Sequence, residues 1–131
     1  MMSILIIEDN AAMRRLIRTL VGDLADAVYE CEDGAQALAA YQQHQPDWVL
    51  MDIRMPNLDG ISASRCITDF DPQAKILIVT DYDDERLRVE AVNAGTRGYI
   101  LKDRLLDLRL ILANQQEQES HNSCTTLQTR R

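Results

Sequence analysis

Four apolar runs stand out along the chain, and each stops at a polar residue. Ile4-Leu5-Ile6-Ile7 runs into Glu8-Asp9, and Trp48-Val49-Leu50-Met51 runs into Asp52. Ile76-Leu77-Ile78-Val79 stops at Thr80, and Tyr99-Ile100-Leu101 stops at Lys102. Short runs of this kind read as strands, and the near-continuous apolar content of the first three suits central strands covered on both faces. Ala27 to Cys31 has polar interruptions and reads as an edge strand. Between the strands the apolar positions recur at helical spacing. Met13, Leu16, Ile17 and Leu20 follow Asn10, a capping residue type, and Gly22-Asp23 closes that helix. Ala37, Leu38 and Tyr41 form the stripe of a second helix, which starts near Gly34 and breaks at Pro46-Asp47. A third helix presents Ala63, Cys66, Ile67 and Phe70 and ends at Asp71-Pro72. Asp83-Asp84-Glu85 puts negative charge where the dipole of a fourth helix favours it, and Asn93-Ala94-Gly95 ends that helix. Asp103 is placed to cap a fifth.

The fifth helix carries more leucine than one face needs. Leu105, Leu108 and Leu112 lie along one stripe, while Leu106 and Leu110 lie along another. Either one stripe caps the edge of the sheet after a longer loop, or it meets a second copy or a further domain.

Five strand–helix units in strict alternation imply an α/β fold with a parallel sheet and helices on both faces. The predicted architecture is flavodoxin-like and doubly wound, with strand order 2-1-3-4-5 and five helices. The domain spans residues 1–114. Residues 115–131 are rich in Gln, Glu, Ser and Thr and read as a polar tail or the start of a linker. In such a sheet, ligands bind beyond the carboxyl ends of the strands, where strand order reverses. The order 2-1-3-4-5 puts Glu8-Asp9 beside Asp52 at that point, with Thr80 and Lys102 on the same edge. Three carboxylates, a hydroxyl and an ammonium then share a pocket suited to a hard divalent cation and a phosphoryl group.

Charge and composition narrow the field. A net charge of -7 over 131 residues argues against direct nucleic-acid binding and against an anionic membrane surface. No apolar run has the length of a membrane span, and the N-terminus lacks the basic segment of a secretory signal. Cys31, Cys66 and Cys124 have neither disulfide-framework nor zinc-ligand spacing and read as reduced thiols of a cytoplasmic protein.

With these residues in view, the chain resembles the response-regulator receiver domain of two-component signalling, from residue 3 to about 114. The resemblance rests on Glu8-Asp9 after strand one, Asp52 after strand three and M-P-x-x-D-G from Met55 to Gly60. Thr80 after strand four and Lys102 after strand five complete it. Thr80 to Glu85 and Gly98 to Asp103 look like the subgroup often joined to a helix-turn-helix output domain. The resemblance implies that Asp52 is a phosphoacceptor and that the chain is no enzyme beyond assisting its own phosphorylation and dephosphorylation. It implies Mg²⁺ held by Asp9 and Asp52, by Glu8 through water, and by the backbone carbonyl of Arg54. Lys102 is expected to pair with Asp52 at rest and with a phosphoryl oxygen afterwards, and Thr80 to bond another. Thr80 and Tyr99 are the implied switch pair. A sensor histidine kinase or phosphotransfer protein is the implied donor, and Arg14, Arg15 and Arg18 of helix one are its expected docking face. An output domain or partner, or a second copy in a homodimer, is expected on the face of helix four, strand five and helix five.

Two residues depart from the family pattern. Asp81 follows Thr80 where a small residue is usual, and Asp103 follows Lys102 where proline is common. Asp81 leaves room for the alternative of a phosphorylation-independent, receiver-like protein-binding module. An aspartyl phosphatase needs a second acid two residues after its nucleophile, and Arg54 holds that place. A dinucleotide-binding fold lacks its glycine-rich loop here.

Overall fold

The computed structural model describes residues 2–114, so the expected tail at 115–131 and Cys124 lie outside the described residues. The chain runs β1 (Ser3–Ile7), α1 (Ala11–Val21), β2 (Ala27–Cys31), α2 (Ala37–His44) and β3 (Trp48–Met51). It continues through α3 (Gly60–Phe70), β4 (Ile76–Thr80), α4 (Glu85–Asn93) and β5 (Gly98–Leu101) to a final helix, α5, over 105–114. All strand pairs are parallel, in the order β2-β1-β3-β4-β5. The predicted architecture and strand order are those observed.

Alternation along the strands divides the core in two. Leu5, Ile7, Val49, Met51, Ile76 and Ile78 face α2, α3 and α4, meeting Ala37, Tyr41, Ile61, Ile67 and Ala91. Ile4, Ile6, Trp48, Leu50, Leu77 and Val79 face the other way, onto Ile17, Val21, Leu108 and Leu112 of α1 and α5. Burying each such side chain contributes roughly 1.5–3 kcal/mol. This is what fixes the strand ends, and with them the polar residues that follow.

Side-chain caps set the starts of α1, α3 and α4. Asn10 Oδ1 accepts the Met13 N–H at 2.8 Å, and Asp59 Oδ1 accepts the Ser62 N–H at 2.9 Å. Asp84 Oδ1 accepts from Arg86 and Leu87 at 2.8 and 3.2 Å. Asp103 does not cap α5 from outside. It sits within a 3-10 turn, Lys102–Arg104, that runs directly into the helix.

Several side chains depart from the expected stripes. Cys66 and Phe70 of α3 are exposed, because Ile61, Ala63, Ser64 and Ile67 take the sheet-facing side. The rotation follows from Gly60, where a Cβ would stand 1.8 Å from the Asp52 carbonyl oxygen. Phe70 instead meets Tyr41 edge to face, with ring centroids 6.4 Å apart. Leu16 of α1 is exposed and Leu38 only partly buried. On α5 the Leu105, Leu108 and Leu112 stripe is buried, whereas Leu106 and Leu110 are 67% and 63% exposed. The first stripe therefore serves the core, and the second is the surplus.

Gly60→Ala is expected to destabilise the fold by more than about 3 kcal/mol, since the clash is with backbone that cannot yield. Chemical denaturation checks this. A loss below 1 kcal/mol would mean that the close approach of α3 to β3 is not needed.

Candidate functional site

β1 and β3 are neighbours, with Ile7 paired to Met51, so the residues that follow them emerge side by side. The Asp52 N–H donates to the Ile7 carbonyl at 2.9 Å, and the Glu8 N–H donates to the Cys31 carbonyl at 3.0 Å. These ladder bonds hold both carboxylates at the edge of the sheet. Glu8 is 1% exposed and Asp52 6% exposed. Lys102 reaches across from the end of β5, its Nζ lying 2.9 Å from Glu8 Oε1 and 3.3 Å from Asp52 Oδ1. The other Glu8 oxygen, Oε2, accepts the Asn10 N–H at 3.1 Å.

Asp9 is exposed and completes the acid group. One oxygen from each of Glu8, Asp9 and Asp52 lies within 4.8 Å of the others. Three carboxylates against one ammonium leave an excess of negative charge around a set of hard oxygen donors. That donor set fits Mg²⁺ and suits softer, nitrogen- or sulfur-seeking metals poorly.

The electrostatics record the crowding. Burial, and after it the charge of Glu8, pushes the Asp52 carboxyl up to about 7, against the opposing pull of Lys102. Burial also disfavours the Lys102 ammonium, but its bond to Glu8 and the Asp52 and Glu8 charges prevail and hold its pKa above the ordinary lysine value. Lys102 is thus a firmly charged counterion to carboxylates that repel one another.

An open cavity of about 280 Å³ covers this group, with Arg54, Asp81 and Tyr82 at its rim. The Arg54 guanidinium lies 4.6 Å from the centre of the Tyr82 ring. Thr80, the last residue of β4, is fully buried, and it is Asp81 and Tyr82 of the loop that follows that line the cavity. The Thr80 hydroxyl oxygen accepts the Tyr82 N–H at 3.2 Å. Tyr99 donates its hydroxyl to the Tyr82 carbonyl at 2.6 Å, and the Arg88 guanidinium lies 4.5 Å from its ring centre.

The structure therefore brings Glu8, Asp9, Asp52 and Lys102 together, and links Thr80 and Tyr99 through Tyr82. Two features differ from expectation. Lys102 pairs with Asp52 but sits closer to Glu8, whose other carboxylate oxygen accepts the Asn10 N–H. Arg14 is not free on the outer face of α1. It donates to the Glu8 carbonyl at 2.8 Å and to Glu30 at 3.0 Å. Tyr82 stands in the sequence only as one residue of the Thr80 to Glu85 stretch, and its place between Thr80 and Tyr99 emerges from the structure.

Among known proteins, the profile of the response regulator receiver domain matches residues 4–113. The chemotaxis protein CheY of Bacillus subtilis (strain 168) is 40% identical over 109 residues, covering 79% of this chain and 91% of that protein. A crystal structure of a LuxR-family two-component response regulator from Aurantimonas sp. SI85-9A1 superposes with a TM-score of 0.76 at 30% identity, covering 86% of each chain. CheY in the CheX-CheY-BeF3-Mg complex from Borrelia burgdorferi has a TM-score of 0.75 at 26% identity, over 85% of this chain and 87% of that one.

Proposed function

The chain belongs to the response regulator receiver domain family, and on that basis we propose that it is a phosphoacceptor of a two-component relay, phosphorylated on Asp52. The observation that carries this reading is the buried Lys102 ammonium shared by Glu8 and Asp52 beside exposed Asp9. The CheX-CheY-BeF3-Mg complex of the Borrelia relative supports the same chemistry.

In the reaction, an Asp52 carboxylate oxygen attacks the phosphorus of a phosphohistidine on a sensor kinase, or of acetyl phosphate. An O–P bond forms, the bond from phosphorus to the donor breaks, and the leaving group departs with that electron pair. The product is an acyl phosphate. Asp9 and Asp52 would hold Mg²⁺ directly, with Glu8 acting through water and the Arg54 carbonyl as a further donor. When bound, Mg²⁺ neutralises the charge that gathers between the carboxylates and the phosphoryl oxygens. Lys102 keeps its grip on Glu8 and exchanges Asp52 for a phosphoryl oxygen. Catalysis is positioning plus charge stabilisation.

The phosphoryl group adds roughly -1.5 to -2 of charge. The Thr80 hydroxyl turns to donate to it, which alters the bond that Thr80 now makes to Tyr82. Tyr82 also accepts the Tyr99 hydroxyl, so the change passes to Tyr99 and the surface of α4, β5 and α5. Val89 and Val92 of α4 are exposed there, ready to meet an output domain or partner. The mechanism is a shift between two populated states. No helix among the described residues is long and apolar enough to cross a membrane, and a cytoplasmic setting accords with this chemistry.

The test is intact-mass analysis after acetyl phosphate treatment. One added phosphoryl mass is expected with Mg²⁺, and none in EDTA. Asp81 at the rim of the cavity favours the second reading, a phosphorylation-independent binding module. No adduct with any donor would select that reading and reject the first.

A further inference from the structure

Arg14 sits where the acidic pocket meets the outer face of α1. Its side chain is 17% exposed, low for an arginine on the first turns of a surface helix. One nitrogen of the guanidinium, Nη1, donates to the Glu8 backbone carbonyl at 2.8 Å. Another, Nε, donates to Glu30 Oε1 at 3.0 Å, and Glu30 in turn pairs its second oxygen with Arg18. Glu30 stands on β2, directly opposite Ile6 in the ladder, so its backbone is held by the sheet. A planar fork fixed at both ends is well suited to hold a backbone group in place.

The group held is the peptide joining Glu8 to Asp9. Every other polar contact of Glu8 fixes it too: its N–H to Cys31, its carboxylate to Asn10 and Lys102. Among the described residues, none bonds the Asp9 carboxylate in this way. Asp9 is exposed, and its carboxylate stays near Glu8 and Asp52 only as far as its backbone is restrained.

We infer that Arg14, clamped by Glu30, is a positioning residue that orients the Glu8–Asp9 peptide for divalent-cation binding. The inference rests on the metal-dependent reading of the site given above. Outer partners of metal ligands typically matter about tenfold or more in affinity.

The sign of the effect separates this role from general electrostatics. Removing a positive charge near an acidic pocket strengthens Mg²⁺ binding by Coulomb's law alone. Removing a clamp weakens it. The experiment is calorimetric titration of the full chain with Mg²⁺ for the unmodified protein, Arg14→Met and Arg15→Met. Arg15 is exposed on the same helix and controls for the lost charge.

Arg14→Met is expected to weaken Mg²⁺ about tenfold, and Arg15→Met to leave it unchanged or slightly tighter. The Mg²⁺ concentration that gives half-maximal phosphorylation by acetyl phosphate is expected to rise by the same factor in Arg14→Met. Equal or tighter Mg²⁺ binding by Arg14→Met overturns the inference. If that variant does not fold, Arg14→Lys keeps the charge and loses the planar fork that spans Glu30 and the Glu8 carbonyl. A drop of about tenfold is then expected, and unchanged affinity counts against the inference. Failure of the unmodified chain to bind Mg²⁺ is a different result: it rejects the metal-dependent reading itself, and the role of Arg14 falls with it.

Discussion

Asp52→Asn is expected to abolish phosphoryl uptake and, in the absence of divalent cations, to stabilise the fold. The two effects have one source. Burial and the Glu8 charge raise the folded-state pKa of Asp52 to about 7, against roughly 3.9 for an unfolded aspartate. The folded protein thus binds that proton more tightly than the unfolded chain does. The resulting stabilisation is fully present below about pH 4 and is lost as pH rises through about 7. At pH 8 the carboxylate is ionised in both states, and the repulsion is felt in full. An amide at position 52 removes the charge, and with it the nucleophile. A gain of roughly 1–2 kcal/mol is expected at pH 8, less than the whole linkage because Lys102 loses an ionic partner. The gain is expected to vanish near pH 4. Thermal unfolding of both proteins in EDTA at pH 4 and pH 8 checks the stability, and intact mass checks the adduct. A variant that takes up phosphoryl as the unmodified chain does, or that is less stable at pH 8, contradicts this reading.

Lys102→Met is expected to slow phosphorylation by acetyl phosphate by about 10²–10³-fold at saturating Mg²⁺. The Lys102 side chain is 9% exposed and lies within 3.3 Å of both buried carboxylates, so its charge acts where water screens little. The same substitution removes a cation that competes for these carboxylates. Mg²⁺ affinity is therefore expected to rise while the rate falls. That opposition distinguishes loss of a catalytic charge from loss of structure, which lowers both. Time courses of adduct formation across a Mg²⁺ series make the measurement. A rate within threefold of the unmodified chain would remove Lys102 from the mechanism.

The sheet and the main cluster were readable in the chain for a specific reason. The central strands β1, β3 and β4 are near-continuous apolar runs and β5 is a shorter one, so the polar residue that closes or follows each, whether Glu8, Asp52, Thr80 or Lys102, marks where the strand stops. Parallel alternation then brings these ends to one edge. What the pattern left open depends on rotation and rotamer. The apolar positions of α3 allow two settings, and the contact of Gly60 with the Asp52 carbonyl decides between them, leaving Cys66 and Phe70 outside. The sequence leaves open whether Lys102 lies nearer Asp52 or Glu8, and the structure puts it nearer Glu8, whose other oxygen accepts the Asn10 N–H. Arg14 reads as an ordinary surface charge until β2 places Glu30 beside it. The two leucine stripes of α5 are visible as stripes, but only packing assigns Leu108 and Leu112 to the core and Leu106 and Leu110 to the surface.

The most direct trial is to locate the phosphoryl group on the unmodified chain. An aspartyl phosphate is reduced by borohydride to homoserine, which marks the residue permanently for peptide mass analysis. After acetyl phosphate and Mg²⁺, homoserine is expected at position 52 and at no other aspartate. Homoserine at Asp9 or Asp81, or at no position at all, would contradict the account.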